Sequence, residues 1–176
     1  MELTGSSCIV RSWRAADAGS LVKYANNANI ARHLRDRFPH PYTLRDAKAF
    51  IHSSASARPQ VSFAIIVDGE AAGGIGFSSG SDVERFSAEI GYWLGEPFWG
   101  RGIAAEAIQL VSAYAFDSCG LLRLFALPFV ENQRSIRVLQ KAGYTREAIL
   151  RSSAVKDRAV RDQALYALVN SRWQQR

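Results

Sequence analysis

Apolar and polar positions alternate at first, then change period several times along the chain. Residues 8–13 place Ile9, Arg11 and Trp13 on alternate sites, which predicts a first strand. Residues 15–27 change to helical spacing through Leu21, Val22 and Ala25, with Asp17 in the first turn. Pro39 and Pro41 exclude a regular element from residues 35–42. Thr43 and Asp46, three positions apart, match a capping box opening a helix through Ala47, Phe50 and Ile51. Residues 61–67 read as a strand, Asp68-Gly69 as a hairpin turn, and residues 71–77 as a glycine-rich return strand. A polar loop over residues 78–85 leads to a strand at 86–94. Ile103, Ala107, Leu110, Val111 and Tyr114 then predict a helix over 101–117. A buried strand at 121–127, a short helix at 132–141 stopped by Gly143, and strands at 144–150 and 163–169 complete the chain, with residues 152–162 read as a loop.

This order predicts an α/β fold. Its mixed sheet has antiparallel strands around the Asp68-Gly69 hairpin, a parallel crossover from 86–94 to 121–127, and helices on both faces. At 176 residues the chain suits one domain, 1–176. A chain of this size buries roughly 70% of its unfolded surface, so it needs no disulfide or metal to fold. No apolar run approaches the ~20 residues of a membrane span, and residues 1–10 lack the basic start and apolar core of a signal peptide. A cytoplasmic protein with no membrane partner is expected. Cys8 and Cys119 lie far apart, and His33, His40 and His52 form no ligand set, so no metal is expected. The net charge of +6 favours a polyanionic partner. Apart from an arginine-rich stretch at 32–37 the basic residues are dispersed, with no interleaved aromatic motif. A phosphorylated cofactor is therefore favoured over nucleic acid.

The most informative segment runs from Glu89 to Ala107. A strand enters a loop, Trp99-Gly100-Arg101-Gly102-Ile103-Ala104, which opens a helix. The first turn of a helix has amides without internal partners and carries the positive end of the dipole. Glycine and alanine let a phosphate approach them, and Arg101 adds a charge at the mouth. The geometry suits a pyrophosphate. Gly100, Gly102 and Ala105 also fit a dinucleotide G-x-G-x-x-A pattern, but that fingerprint belongs on the first strand with an acidic ribose partner about 20 residues on. Here it follows four strands, and Glu131 arrives too late. A tight turn that binds nothing is the remaining alternative. The chain has no Gly-x-Ser-x-Gly elbow. His40, between two prolines, reads as a loop residue shaping a pocket, and Cys119 lies away from the proposed site.

Residues 88–107 resemble the acetyl-CoA-binding motif of the GNAT superfamily, Gln/Arg-x-x-Gly-x-Gly/Ala. Trp99 stands in the first position, as in RimJ/RimL-type members. Asn132, Ser135, Lys141, Gly143 and Tyr144 match the second motif, Asn-x-x-Ser-x-x-x-x-x-Lys-x-Gly-Phe/Tyr. Residues 11–17 and 38–43 look like the acceptor half of the same group. The resemblance implies a GNAT-like, mostly antiparallel sheet with a central parallel pair that splays apart. It implies an N-acetyltransferase using acetyl-CoA as co-substrate and a primary amine, a protein N-terminus or a small molecule, as acceptor. It leaves a homodimer open.

Under that resemblance the pyrophosphate sits on Trp99, Gly100, Arg101, Gly102, Ile103 and Ala104. The backbone of Trp93 and Leu94 pairs with pantetheine, Asn132 touches it, and Lys141 or Arg137 reaches the 3′-phosphate. An amide near Tyr92 to Leu94 would hold the thioester oxygen. Glu89, alone in an apolar strand, is the candidate base; an ion pair with an arginine is the other reading. Ser135 is the candidate donor to the leaving thiolate, or a helix-stabilising serine. The positive surface would not favour polycationic acceptors. A non-catalytic acyl-CoA-binding module is the alternative function.

Overall fold

The computed structural model describes residues 1–56 and 59–174. Its strands are β1 (Glu2–Thr4), β2 (Ile9–Arg11), β3 (Ser62–Val67), β4 (Glu70–Ser79), β5 (Ser87–Leu94), β6 (Arg123–Ala126), β7 (Thr145–Lys156) and β8 (Ala159–Val169). Its helices are α1 (Ala18–Ala25), α2 (Ala28–Ala31), α3 (Leu44–Ser56), α4 (Ile103–Asp117) and α5 (Gln133–Lys141). The strands form a sheet in the order β1-β2-β3-β4-β5-β6-β8-β7. All neighbours are antiparallel except β5 and β6. The mixed α/β sheet expected from the chain is the one observed.

Side-chain alternation along β3 sorts the core into two layers. Phe63, Ile65 and Val67 face a cluster with Ile103, Ile108 and Leu139 of α4 and α5. Ala64 and Ile66 face Leu21, Ala47 and Ile51 of α1 and α3. Helices therefore cover both faces, as the period-2 pattern requires of a strand buried on both sides. Asp68 (φ 51°) and Gly69 (φ 82°) both take the left-handed conformation of a type I′ hairpin. Thr43 and Asp46 form the expected reciprocal cap: the Thr43 amide donates to Asp46 Oδ2 at 2.9 Å and the Asp46 amide to Thr43 Oγ1 at 3.3 Å.

Several elements and boundaries differ from expectation. Residues 152–162 are mostly strand: β7 and β8 continue to a turn at Asp157-Arg158 (φ 50° and 62°). A register shift between Leu150 and Ala154, with Ser152 at φ 50°, breaks the alternation there, and neither turn residue is glycine. β1 and the four-residue α2 are too short to show a period. The expected helix at 15–27 is a 3-10 turn at Ala15–Asp17 followed by α1, because Asp17 is buried in a bidentate pair with Arg11, both contacts 2.8 Å. α4 starts at Ile103, with Gly102 as its cap, not at 101.

The turn between β1 and β2 is fastened to α4 by Glu106. Its carboxylate accepts the Ser6 amide at 2.6 Å, the Ser7 amide at 2.8 Å and both hydroxyls. Gly5 passes so close that a Cβ there would lie 2.6 Å from Glu106 Cδ. Burial alone would raise the Glu106 carboxyl, but these hydrogen bonds together outweigh it and hold it at about 2. A depressed folded pKa adds stability above the ordinary value of 4.5, and that stability is lost as pH falls toward about 2. The thermal midpoint is therefore expected to fall through that window, and Glu106→Gln should lower the midpoint at neutral pH while flattening the acid drop. An acid limb as steep in the variant as in the wild type would exclude Glu106 as its source.

Candidate active site

The ladder between β5 and β6 is three residues long, Ser87 to Glu89 against Arg123 to Phe125. Beyond it the chain after β6 stays with β8: Pro128 O accepts the Ala164 amide at 2.9 Å, and Leu127 O accepts Gln163 Nε2 at 2.9 Å. The edge of β5 beyond Glu89 is left open, which is the splayed parallel pair that the resemblance implied. Register decides which groups face the opening. The Gly95 amide donates to Ala72 O, and Ser87 O accepts the Gly80 amide, so odd-numbered residues of β5 turn their backbone toward β4. Ile90, Tyr92 and Leu94 turn theirs into the gap. Trp93 departs from expectation: its amide and carbonyl belong to the β4 ladder, and the backbone groups that face the gap on either side of it are those of Tyr92 and Leu94.

The loop after β5 has the geometry of an anion cradle. Gly100 (φ 78°) and Gly102 (φ 81°) hold left-handed conformations, and nothing lies within 4 Å of where a Cβ would stand at either. The amides of Gly102, Ile103 and Ala104 meet no protein acceptor among the described residues, whereas those of Ala105 and Glu106 donate to Gly102 O. These residues line a cavity of about 1600 Å³ that continues along the open edge of β5. That is larger than the 300–1,000 Å³ of ordinary ligand sites and has room for an extended cofactor and an acceptor together. The Arg101 side chain departs from expectation. It does not line the cavity; its guanidinium lies 3.9 Å from Asp68 and over the Phe98 ring. Trp99 does more than its backbone: its indole donates to Leu94 O at 2.7 Å, and Arg134 covers its ring at 4.8 Å.

α5 closes the same side of the gap. Asn132 caps it, accepting the Ser135 amide at 3.2 Å. Ser135 Oγ lies 2.7 Å from Tyr92 Oη. Burial is the main cause that pushes the Tyr92 hydroxyl well above the ordinary phenol value, so it keeps its proton. Lys141 and Arg137 line the cavity from the exposed face of α5. The period-2 alternation of β5 could have pointed to Tyr92, since it sets the side chains of Tyr92 and Glu89 on opposite faces.

On the other face, Glu89 lines the cavity and pairs with Arg35. The floor is aromatic. The Trp93 indole comes close to Gly74, where a Cβ would meet its Nε1 at 2.6 Å. Phe38 packs edge-on to Trp93 at 5.8 Å and beside Tyr42 at 5.0 Å. His40 is exposed and outside the lining, while His33 takes part in it. Cys119 follows α4, and burial raises its thiol. Among the described residues no group of three or more His, Cys, Asp or Glu could hold a metal, and no helix is long and apolar enough to cross a membrane.

A splayed parallel pair beside an amide-lined helix start defines an acetyl-CoA-dependent acetyltransferase. Residues 8–145 match the acetyltransferase (GNAT) domain, and the chain belongs to the GNAT family. It is 32% identical over 145 residues, 81% of each chain, to the uncharacterized N-acetyltransferase p20 of Bacillus licheniformis. It is 35% identical over 109 residues, 61% of this chain and 59% of the other, to the ribosomal-protein-serine acetyltransferase of Escherichia coli. Its fold matches the crystal structure of Mycobacterium smegmatis RimJ in complex with CoA-disulfide with a TM-score of 0.83 and 25% identity, covering 96% of this chain and 84% of that one.

Proposed function

We propose that this protein moves the acetyl group of acetyl-CoA directly to a primary amine, that of a protein N-terminus or a small molecule. The observation that carries this reading is the pair of faces on β5. Glu89 stands on one, the Tyr92–Ser135 hydroxyl pair on the other, and the backbone of Tyr92 and the Leu94 amide run between them, outside both sheet ladders. In this reading Gly100, Gly102, Ile103 and Ala104 hold the pyrophosphate through backbone amides, with Trp99 bracing the loop and Arg101 contributing backbone. Asn132 and Leu94 contact the pantetheine arm, Trp93 floors the acceptor side, and Lys141 meets the 3′-phosphate.

The thioester supplies an activated acetyl carbon. The amine nitrogen bonds to that carbon as the carbon–sulfur bond breaks. Glu89 takes the proton the amine loses, directly or through water, while Ser135 Oγ, held by Tyr92 Oη at 2.7 Å, donates a hydrogen bond to the sulfur, which leaves as the thiolate and takes its proton from solvent. An amide of the open β5 edge faces the carbonyl oxygen, where a fixed donor lowers the barrier. Residues contributing through a positioned proton transfer are typically worth about 10²–10⁴-fold in rate. The reading places the protein in the cytoplasm, where two free thiols, Cys8 and Cys119, match a reducing compartment.

Free thiol is expected to appear when the protein is mixed with acetyl-CoA and a panel of N-terminal peptides and small amines, with at least one acceptor and far less without any. Tight acetyl-CoA binding in calorimetry with no acceptor-dependent thiol would replace this reading with that of an acyl-CoA-binding regulatory module.

A further inference from the structure

We infer that the acceptor is a primary amine carrying a negative charge, a carboxylate or a phosphate, close to the reacting nitrogen; the inference rests on the proposed acetyl transfer and names its substrate class. It starts from the charges around the acceptor half of the cavity. The carboxylates there are already engaged. Glu89 pairs with Arg35, Asp46 accepts the Thr43 amide and hydroxyl, Glu96 accepts the side-chain amides of Asn27 and Asn29, and Glu131 pairs with Arg161 at 2.8 Å. Asp36, beside the rim, is matched by Lys156 at 2.7 Å. Arg32 and Arg37 also line this half, and among the described residues neither has an acidic partner. Two exposed guanidiniums thus line the mouth without an ion-pair partner, while each lining carboxylate already accepts from a donor of its own.

A second observation agrees. His33, between Arg32 and the floor, has a buried Nδ1 with no hydrogen-bond partner. Its imidazolium is disfavoured first by burial, and then by Arg32, Arg161 and Arg134, with Glu131 alone opposing. Three of the four charged neighbours that act on that ring are arginines. A polyamine would bring cations toward Arg32 and Arg37, whereas an acceptor with an anion beside its amine can place the amine at Glu89 and the anion at the rim. Guanidiniums suit both carboxylate and phosphate, binding either in bidentate fashion. Phe38, Tyr42 and Trp93 leave the floor apolar, so the rim supplies the polar selection.

The test compares tetrapeptides differing only at the second residue, Ser-Asp, Ser-Asn and Ser-Lys at their N-termini, together with phosphoethanolamine, ethanolamine and spermidine. At low ionic strength kcat/KM for Ser-Asp is expected to exceed that for Ser-Lys about tenfold or more, with Ser-Asn between. The gap should shrink as added salt shortens the Debye length from roughly 30 Å at 0.01 M to 8 Å at 0.15 M. The double variant Arg32→Glu and Arg37→Glu should reverse the order without changing the Kd for acetyl-CoA. Preference for phosphoethanolamine over ethanolamine alone would identify a small phosphorylated amine as the source, and preference within the peptides alone would identify a protein terminus. Calorimetry of the same acceptors on the CoA-saturated protein separates the two claims. No turnover with any acceptor defeats the transfer reading. Equal affinities for Ser-Asp, Ser-Asn and Ser-Lys, or tighter binding of Ser-Lys or spermidine, defeats the inference.

Discussion

Glu89→Gln is expected to reduce kcat by about 10²-fold or more, within the range of a positioned acid–base group, and to leave the Kd for acetyl-CoA unchanged. The argument is geometric. Glu89 sits one residue pair before the gap, on the face of β5 that carries Trp93 and opposite the face that carries Tyr92. Glutamine keeps the shape and can still accept from Arg35 through its carbonyl, so the substitution removes charge and basicity without opening a hole. The Glu89–Arg35 pair is itself partly exposed, with the side chains 33% and 54% accessible. Such a pair contributes at most about 1 kcal/mol to stability, so a structural role alone predicts a small shift in Tm and an intact kcat. Steady-state kinetics and a melting curve on one sample separate the two. Unchanged turnover with a shifted Tm would leave Glu89 an ion-pair partner and nothing more.

How far the sequence carried the reading can be judged from β5 and its surroundings. The strand, its parallel crossover through α4 and the Asp68-Gly69 hairpin were legible because alternation, helical spacing and turn chemistry each act over a few residues. Thr43 with Asp46, and Asn132 as the cap of α5, were legible for the same reason. Which edge of β5 stays open was not. It depends on β6 following β8 after Ala126, a choice set by Gln163, which lies 36 residues from its partner Leu127, and by Ala164. That choice turned the backbone of Tyr92 and Leu94 into the gap, where the Trp99 indole takes the Leu94 carbonyl, and gave Trp93 to β4. Likewise the arginine-rich stretch at 32–37 was visible, but not its division of labour. Only the folded loop shows Arg35 spent on Glu89 while Arg32 and Arg37 keep their charge. Arg101 shows the converse, a charge well placed in the motif whose side chain turns to Asp68 instead.

Gly102→Val should raise the Kd for acetyl-CoA about 100-fold while costing little more in folding than its backbone strain. Gly102 caps α4 at φ 81°, a conformation in which a β-branched residue is a steric outlier, and holding it there costs of order 1–3 kcal/mol. The space beside its Cα is open, since no heavy atom lies within 4 Å of a Cβ built there. The protein packs nothing into that space, so beyond its φ the glycine leaves an open approach to the unpaired amides of Ile103 and Ala104. A valine would fill that approach and also pull the first turn of α4 off its direction. Gly19→Ala in α1 is the control. Its added Cβ likewise meets nothing within 4 Å, and its φ is not left-handed, so alanine in the first turn of α1 should leave the fold at least as stable and binding unaffected. Calorimetry with CoA on both variants reads the difference. If Gly102→Val melts several degrees lower yet binds CoA as tightly as the wild type, the amides at the start of α4 are not the phosphate site, and the placement of the cofactor along β5 fails with them.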